Sequence, residues 1–388
     1  MSASLVTYAD VGNKASLSSI DIMPIIRKFE KEDKLKQIIC KTNRSFTFKN
    51  TSSAIPLPLH YVFRIFEKGT KIPVPRAWTE AIFDFIAAKK LQFADVTIFH
   101  GGHFLPKTLA RSRTIGSLSV DIPRLVHPNK NAKLEGEEFE ILGIREYERY
   151  YAGLSRKYTH LTEFDYLIAF SDFLKSSYVE QGYPAEKIFV APQDIDVDQF
   201  TPAAERSNVF RAIFVGYSNP LKGVHYLLEA WDKLRLPDAE LLLVGGYGGM
   251  PDAVKARYEE IIKRNPNIKQ IGNTNNKELQ DLYRSASVLT FPSLTESLSR
   301  VTLEAMACGL PVITTQNAQG LIEDGKTGYV VPIRDEDAFK EKIEYFYHNR
   351  DIAEKMGREA RKVIESKKPF GEAVYEIYLE IMRREGKA

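Results

Sequence analysis

Between residues 211 and 314, short apolar runs alternate with helical patterns, and few folds accommodate that rhythm. Residues 211–215, 240–244, 268–271, 287–291 and 311–314 read as strands. Residues 224–234, 253–265, 277–284 and 300–308 read as the helices between them, with Val224, Leu227, Leu228 and Trp231 on one face of the first. Strands that are apolar on both faces belong to a parallel sheet covered by crossover helices. Right-handed crossovers then make the region a doubly wound α/β domain. The first 200 residues repeat the rhythm less cleanly. Strands are predicted at 5–9, 95–99, 115–120, 166–170 and 189–191, a helix is predicted through Phe29, and another begins near Asp172. The proline-bearing stretch 51–75 reads as irregular.

A chain of 388 residues can build two hydrophobic cores. The expected architecture is therefore two Rossmann-like α/β domains, residues 1–200 and 203–368, facing a central cleft. A linker is expected near 198–208, and residues 370–388, helical over 372–384, are expected to pack back on the first domain. In such sheets ligands sit beyond the carboxyl ends of the strands.

Apolar stretches such as 166–170 and 241–244 are far too short to span a bilayer, which takes about 20 residues. The amino-terminal residues lack the basic start and long apolar run of a signal peptide. The two cysteines, Cys40 and Cys308, make neither a disulfide framework nor a zinc site. These features predict a cytoplasmic protein. The first hundred residues carry 15 Lys and Arg against 9 Asp and Glu, a bias that suits an anionic substrate or membrane surface as well as an ordinary solvated face. No nucleic-acid module is present.

The richest segment is Pro292-Ser-Leu-Thr-Glu-Ser-Leu-Ser-Arg-Val-Thr-Leu-Glu304. A strand ends at Phe291, a loop carries Glu296, and a helix starts near Ser299 with Ser297 as the expected N-cap. The amides and positive dipole end of that helix suit a diphosphate. Glu296 and Glu304 offer carboxylates that accept hydrogen bonds from sugar hydroxyls; dipole stabilisation is the competing reading. A second segment, Phe214-Val-Gly-Tyr-Ser-Asn-Pro-Leu-Lys-Gly223, runs from a strand through a glycine turn to Lys222, which can neutralise a phosphate.

These segments together resemble the retaining glycosyltransferases of family four, which have the GT-B fold. Glu296 and Glu304, eight apart, are followed by Ala-Met-Ala-Cys-Gly-Leu-Pro-Val-Ile313, close to that family's wording. Val215-Gly216 through Lys222-Gly223 to Ala230 is similar to its phosphate-binding turn, and Pro192–Asp196, Phe200-Thr-Pro202 and Asp324–Pro332 are also similar. The likeness is good over residues 160–365 and loose before them.

The resemblance implies metal-independent transfer of a hexose from a nucleoside diphosphate sugar, UDP- or GDP-linked, to a glycan, lipid-linked or small-molecule acceptor, with retention at the anomeric carbon and no cofactor. It implies that Lys222 binds the diphosphate, Glu296 the donor sugar and Glu304 the ribose. It places Gly216, Tyr217 and Ser218 at the phosphate turn, the amides of Ser297, Leu298 and Ser299 toward sugar and phosphate, and Gly245, Ile271 and Asn273 beside the base. The chain departs from the family pattern at Tyr217, where an arginine is usual, at Ser297 and Ser299, where glycines are common, and at Gln193-Asp194 in place of Asn-Gly. A nucleotide-sugar-binding scaffold subunit and a nucleotide-sugar 2-epimerase are the alternatives.

In the first domain, Gly12, Asn13 and Lys14 follow the first strand and could meet phosphate or acceptor. His103 in His100-Gly-Gly-His103 and His127 in Arg124-Leu-Val-His-Pro128 are candidates for the cleft as acid, base or acceptor contacts, with Asp121 as the alternative to His127. No third metal ligand accompanies the histidines, so no metal is expected. Trp78, Ile82, Phe85 and Ile86 share a helical face that fits a core better than a membrane surface.

Overall fold

The computed structural model describes residues 1–11, 17–43, 51–53, 76–144, 159–205, 207–247 and 251–387. The first lobe runs β1 (Ala3–Val11), α1 (Leu17–Lys31), β2 (Leu35–Asn43), β3 (Thr51–Ser53), α2 (Arg76–Lys90), β4 (Val96–His100), α3 (Pro106–Thr114), β5 (Leu118–Ile122), α4 (Pro128–Ile141), β6 (Tyr166–Ala169), α5 (Asp172–Val179) and β7 (Ile188–Val190). The second runs β8 (Phe210–Val215), α6 (Val224–Leu234), β9 (Ala239–Val244), α7 (Asp252–Arg264), β10 (Ile268–Gly272), α8 (Asn276–Ser285), β11 (Val288–Phe291), α9 (Arg300–Ala307), β12 (Val312–Thr315), β13 (Gly328–Val331), α10 (Glu336–His348) and α11 (Arg350–Ser366). A final helix, α12 (Phe370–Arg384), returns to the first lobe and packs on α1.

Each lobe is a doubly wound parallel sheet, ordered β3-β2-β1-β4-β5-β6-β7 in the first and β10-β9-β8-β11-β12-β13 in the second. The chain builds outward from β1 or β8 on one side, then crosses to the other. Each sheet therefore has a switch point, between β1 and β4 and between β8 and β11, where the following loops part and leave a crevice. Burial explains the order. β11 and β12 are buried along their length, whereas edge strand β10 (Ile-Lys-Gln-Ile-Gly) buries only Ile268.

The lobes are joined by crossings with defined anchors. Asp194 accepts from the Phe370 amide at 2.7 Å and from Lys367 Nζ at 2.9 Å, fixing the start of α12. Arg361 on α11 donates to the carbonyls of Phe200 and Ala307, both at 2.6 Å, tying the connecting segment to α9. Gly371 lies so close to α1 that a Cβ there would stand 2.4 Å from the Pro24 carbonyl oxygen.

The structure corrects several expectations. The strand expected at 115–120 is β5 (Leu118–Ile122), because Ile115 still closes α3 and Gly116 turns the chain at φ +76°. Residues 51–53, expected to be irregular, form β3. The core face of α2 is not Trp78, Ile82, Phe85 and Ile86. Trp78 is 66% exposed and Phe85 46% exposed, while Phe83, Ala87 and the following Leu91 are buried. Asp84 turns inward with them, because its carboxylate caps α3 by accepting from the amides of Lys107 at 3.0 Å and Thr108 at 2.9 Å.

Candidate active site

The crevice at the second switch point gathers the residues after β8 and β11. The turn after β8 is shaped by Asn219, whose side chain accepts from the Lys222 amide at 3.0 Å, and by Gly223, at φ +65°. Only glycine fits at 223, since a Cβ would meet the Pro292 carbonyl oxygen at 2.1 Å. That close approach brings the β8 turn against the β11 loop. Lys222 Nζ donates to Glu296 Oε1, and Ser293 Oγ donates to the same oxygen at 2.9 Å. Lys222 also lies 5.5 Å over the Phe291 ring. One cation and one carboxylate thus face each other at the crevice as an ion pair.

Glu304 stands one turn into α9. The Tyr283 hydroxyl donates to its Oε2 at 3.1 Å, and burial pushes its carboxyl up to about 7. The N-cap of α9 is Ser299, not Ser297: the Ser299 hydroxyl accepts from the Thr302 amide at 3.4 Å. Ser297 instead offers its carbonyl to Ser171 Oγ of the first lobe at 2.7 Å. Leu298 and Ser299 are buried. Tyr217 is 60% exposed, whereas Ser218 is buried and its amide donates to the Gly246 carbonyl at 2.9 Å.

Behind the turn after β8 lies a hollow of about 300 Å³, lined among others by Ser218, Gly245, Tyr247, Tyr258, Gln270 and Ile271. Gly245, at φ +118°, approaches Gly216 so closely that a Cβ would stand 2.2 Å from its carbonyl oxygen. Ile271 is 40% exposed at the rim, and Asn273 lies against Gly246. The predicted residues Gly216, Ser218, Lys222, Gly245, Ile271, Asn273 and Glu296 therefore line one continuous end of the second sheet.

In the first lobe, Gly12, Asn13 and Lys14 lie outside the described residues. His100 ends β4, at the β1/β4 switch point, and its Nδ1 is 3.1 Å from Thr7 Oγ1. Burial pushes its pKa down to about 3, so the ring is neutral. His103 follows in a buried turn whose Gly102 amide donates to Asp121 Oδ1 at 2.8 Å. Burial pushes the Asp121 carboxyl up to about 7, which makes this aspartate the titratable group near β5 best placed to change charge near neutrality. His127 is the N-cap of α4: its Nδ1 accepts from the Asn129 amide at 3.3 Å, its ring packs edge-on against Tyr178, and burial lowers its pKa to about 4. Its Nδ1 is thus engaged in holding the helix. Among the described residues no three His, Cys, Asp or Glu side chains gather into a metal-binding group.

The structure adds cleft residues that the sequence reading missed. Asn131 accepts from Thr295 Oγ1 at 3.1 Å, and Ser171 reaches Ser297; both bring the first lobe to the loop carrying Glu296. A second hollow of about 420 Å³, lined by Lys130, Ser171, Glu180, Gln316, Asn317 and Gln319 among others, opens beside that contact. No local pattern marks Asn131 and Ser171, since each pairs with a residue more than a hundred positions away.

Residues 198–363 match the family described as glycosyl transferases group 1. A D-inositol 3-phosphate glycosyltransferase from Paenarthrobacter aurescens is 31% identical over 218 residues, 50% of this chain and 51% of that protein. Its counterpart from Corynebacterium urealyticum is 34% identical over 190 residues, 42% and 44% of the two chains. The chain spans about half the length of the curated relatives it matches. Sucrose-phosphate synthase from Thermosynechococcus elongatus superposes with a TM-score of 0.69 at 17% identity, covering 99% of this chain and 100% of that one. HepE from Anabaena, solved in complex with UDP, superposes at 0.65 with 15% identity, covering 98% and 100%. At these identities the likeness is one of fold, and the fold is GT-B.

Proposed function

We propose that this chain is a glycosyltransferase that moves a hexose from a nucleoside diphosphate sugar to a glycan, lipid-linked or small-molecule acceptor, without a metal and with retention. One observation carries the reading: Lys222 and Glu296 pair across the switch point of the second sheet, beside a base-sized hollow bounded by Gly245 and Ile271. Lys222 would hold the diphosphate, and its fixed charge would stabilise the departing phosphate. Glu296 would receive the sugar hydroxyls and Glu304 the ribose. A UDP-linked donor is the first candidate, since the structural neighbour HepE is solved with UDP and with UDP-glucose. The match to glycosyl transferases group 1 over the second lobe supports the same assignment.

Thermal unfolding with saturating UDP, GDP and ADP and their sugars tests the donor site. A ligand at about 100 times its dissociation constant adds about 2.7 kcal/mol. One nucleotide series is expected to raise the melting temperature, and Lys222→Ala to abolish the rise. Activity is expected to survive EDTA.

The Glu304 carboxyl, raised to about 7, sets a pH dependence. A ribose donates its hydroxyls, so the ionised form binds better, and ionisation is gained as pH rises through 7. Affinity for a UDP-sugar, whose diphosphate diester does not titrate in this range, is expected to strengthen from pH 6 to pH 8. Titration calorimetry on Glu304→Gln should show a flat profile.

A second reading, a nucleotide-sugar-binding scaffold subunit, draws on Tyr217, which presents an exposed phenol where the resembling family places an arginine. It predicts a nucleotide-induced melting shift without turnover until a partner is added. A 2-epimerase would instead isomerise the donor in the absence of acceptor. Contact with an anionic membrane belongs to the proposal as well. Trp78 and Phe85 are exposed on α2, and Lys89 and Lys107 lie 4.3 and 5.4 Å over the Phe85 ring. No described helix is long and apolar enough to cross a membrane.

A further inference from the structure

The lobes also meet across one fully buried carboxylate. Glu138 lies on α4 of the first lobe with no exposed surface. Its Oε1 receives His225 Nε2 at 2.5 Å and the Tyr226 hydroxyl at 3.1 Å, and its Oε2 receives Arg334 Nε at 2.9 Å. All three donors belong to the second lobe. A carboxylate only accepts, so His225 donates through Nε2, while its Nδ1 lies 2.9 Å from the Tyr258 hydroxyl. Arg334 spends its other N–H groups on the same helix, donating to Glu137 at 3.0 Å and to the Leu134 carbonyl at 3.1 Å. Its backbone sits at φ +64°, an unfavourable conformation for arginine that the surroundings must hold.

A buried carboxylate is tolerated only when its partners are complete. His225, Tyr226 and Arg334 complete this one, and none of them is on its own lobe. Separating the lobes would dismantle the network at once, so the pairing is a property of the closed arrangement. The network also touches the proposed donor site. His225 is three residues past Lys222, at the start of α6, and α4 packs against the turn 220–222.

We propose that Glu138 is a positioning residue: it latches the acceptor-side lobe onto the first turn of α6 and onto Arg334, and by doing so fixes the turn that presents Lys222 to the donor diphosphate. The assignment of a reaction to this latch rests on the glycosyl-transfer reading; the latch itself does not.

The test uses the full chain with Glu138→Ala, the isosteric Glu138→Gln and Arg334→Ala. Misplacing catalytic groups by about an ångström costs about 100-fold in turnover. Glu138→Ala and Arg334→Ala are expected to lower kcat about 100-fold and to raise the dissociation constant for UDP, measured by calorimetry, because Lys222 is no longer held toward the diphosphate. Glu138→Gln keeps an accepting oxygen but loses the charge, and is expected to fall between them and the wild type. Small-angle X-ray scattering should show the alanine variants more extended than the wild type. Wild-type scattering together with wild-type kcat in Glu138→Gln and Arg334→Ala would overturn the latch. If the wild type transfers no sugar, the functional reading fails, and scattering alone decides whether Glu138 holds the lobes together.

Discussion

Glu296→Ala is expected to reduce sugar transfer by a factor of about 100 to 1,000, the usual cost of losing one preorganised polar group that meets the reacting centre. The variant should remain folded, because Glu296 sits in a loop, Lys222 is partly exposed, and the buried Ser293 Oγ keeps the Leu221 and Thr295 carbonyls as acceptors. The decisive feature is a split between ligands. UDP lacks the sugar, so its dissociation constant should change little or even improve as Lys222 is released from its ion pair. A UDP-hexose should lose affinity as well as turnover. Lys222→Ala should give the converse, weakening UDP and UDP-sugar alike. Wild-type turnover in Glu296→Ala would remove this glutamate from the chemistry, and with it the proposed donor orientation. Isomerised donor recovered without acceptor would move the protein to the epimerase class.

With Gly245→Ala, Gly223→Ala is expected to be one of the two most damaging single methyls in the second lobe's site. Its Cβ would stand 2.1 Å from the Pro292 carbonyl oxygen and 3.0 Å from the carbonyl carbon, both backbone atoms that cannot rotate away. The residue also sits at φ +65°. Clash and strain together should cost roughly 2–4 kcal/mol. A melting-temperature decrease of about 5–10 °C follows for a lobe of this size. Because the β8 turn and the β11 loop are pressed together here, Lys222 and Glu296 should separate and nucleotide stabilisation should disappear. Gly116→Ala is the control. It shares the positive φ, +76°, but nothing lies within 4 Å of its Cβ, so it should lose only the backbone term, about 1 kcal/mol. Equal losses in the two variants would mean that the close approach at Pro292 is unimportant.

Much of the second lobe was legible in advance because its signals are local. Apolar runs of four to six residues fix β8, β9, β11 and β12 almost residue by residue, and after the first three a glycine or proline turn leads into a helix. Lys222, Glu296 and Glu304 stand out in the sequence because the segments that carry them, just beyond those strand ends, resemble the family's motifs. The first lobe was less readable. β2, Leu-Lys-Gln-Ile-Ile-Cys-Lys-Thr-Asn, breaks its apolar run with polar residues and gives no clear strand pattern, although Ile38, Ile39 and Cys40 are wholly buried beside β1. In α2 helical periodicity points to Trp78, Ile82, Phe85 and Ile86, yet the inward turn of Asp84 to cap α3 goes with burial of Phe83 and Ala87 instead.

The sequence by itself therefore determined the α/β class, the two doubly wound sheets and the line of residues at the carboxyl end of β8 and β11, since strand period, helix period and turn chemistry act over a few residues. Only the tertiary structure decided which groups meet across the cleft. Glu138 finds His225, Tyr226 and Arg334 across 87, 88 and 196 positions, and Ser171 finds Ser297 across 126. A hydrogen bond or ion pair is satisfied by proximity in space, which one sequence does not encode at any fixed spacing. The way the lobes close is for that reason written in packing, not in pattern.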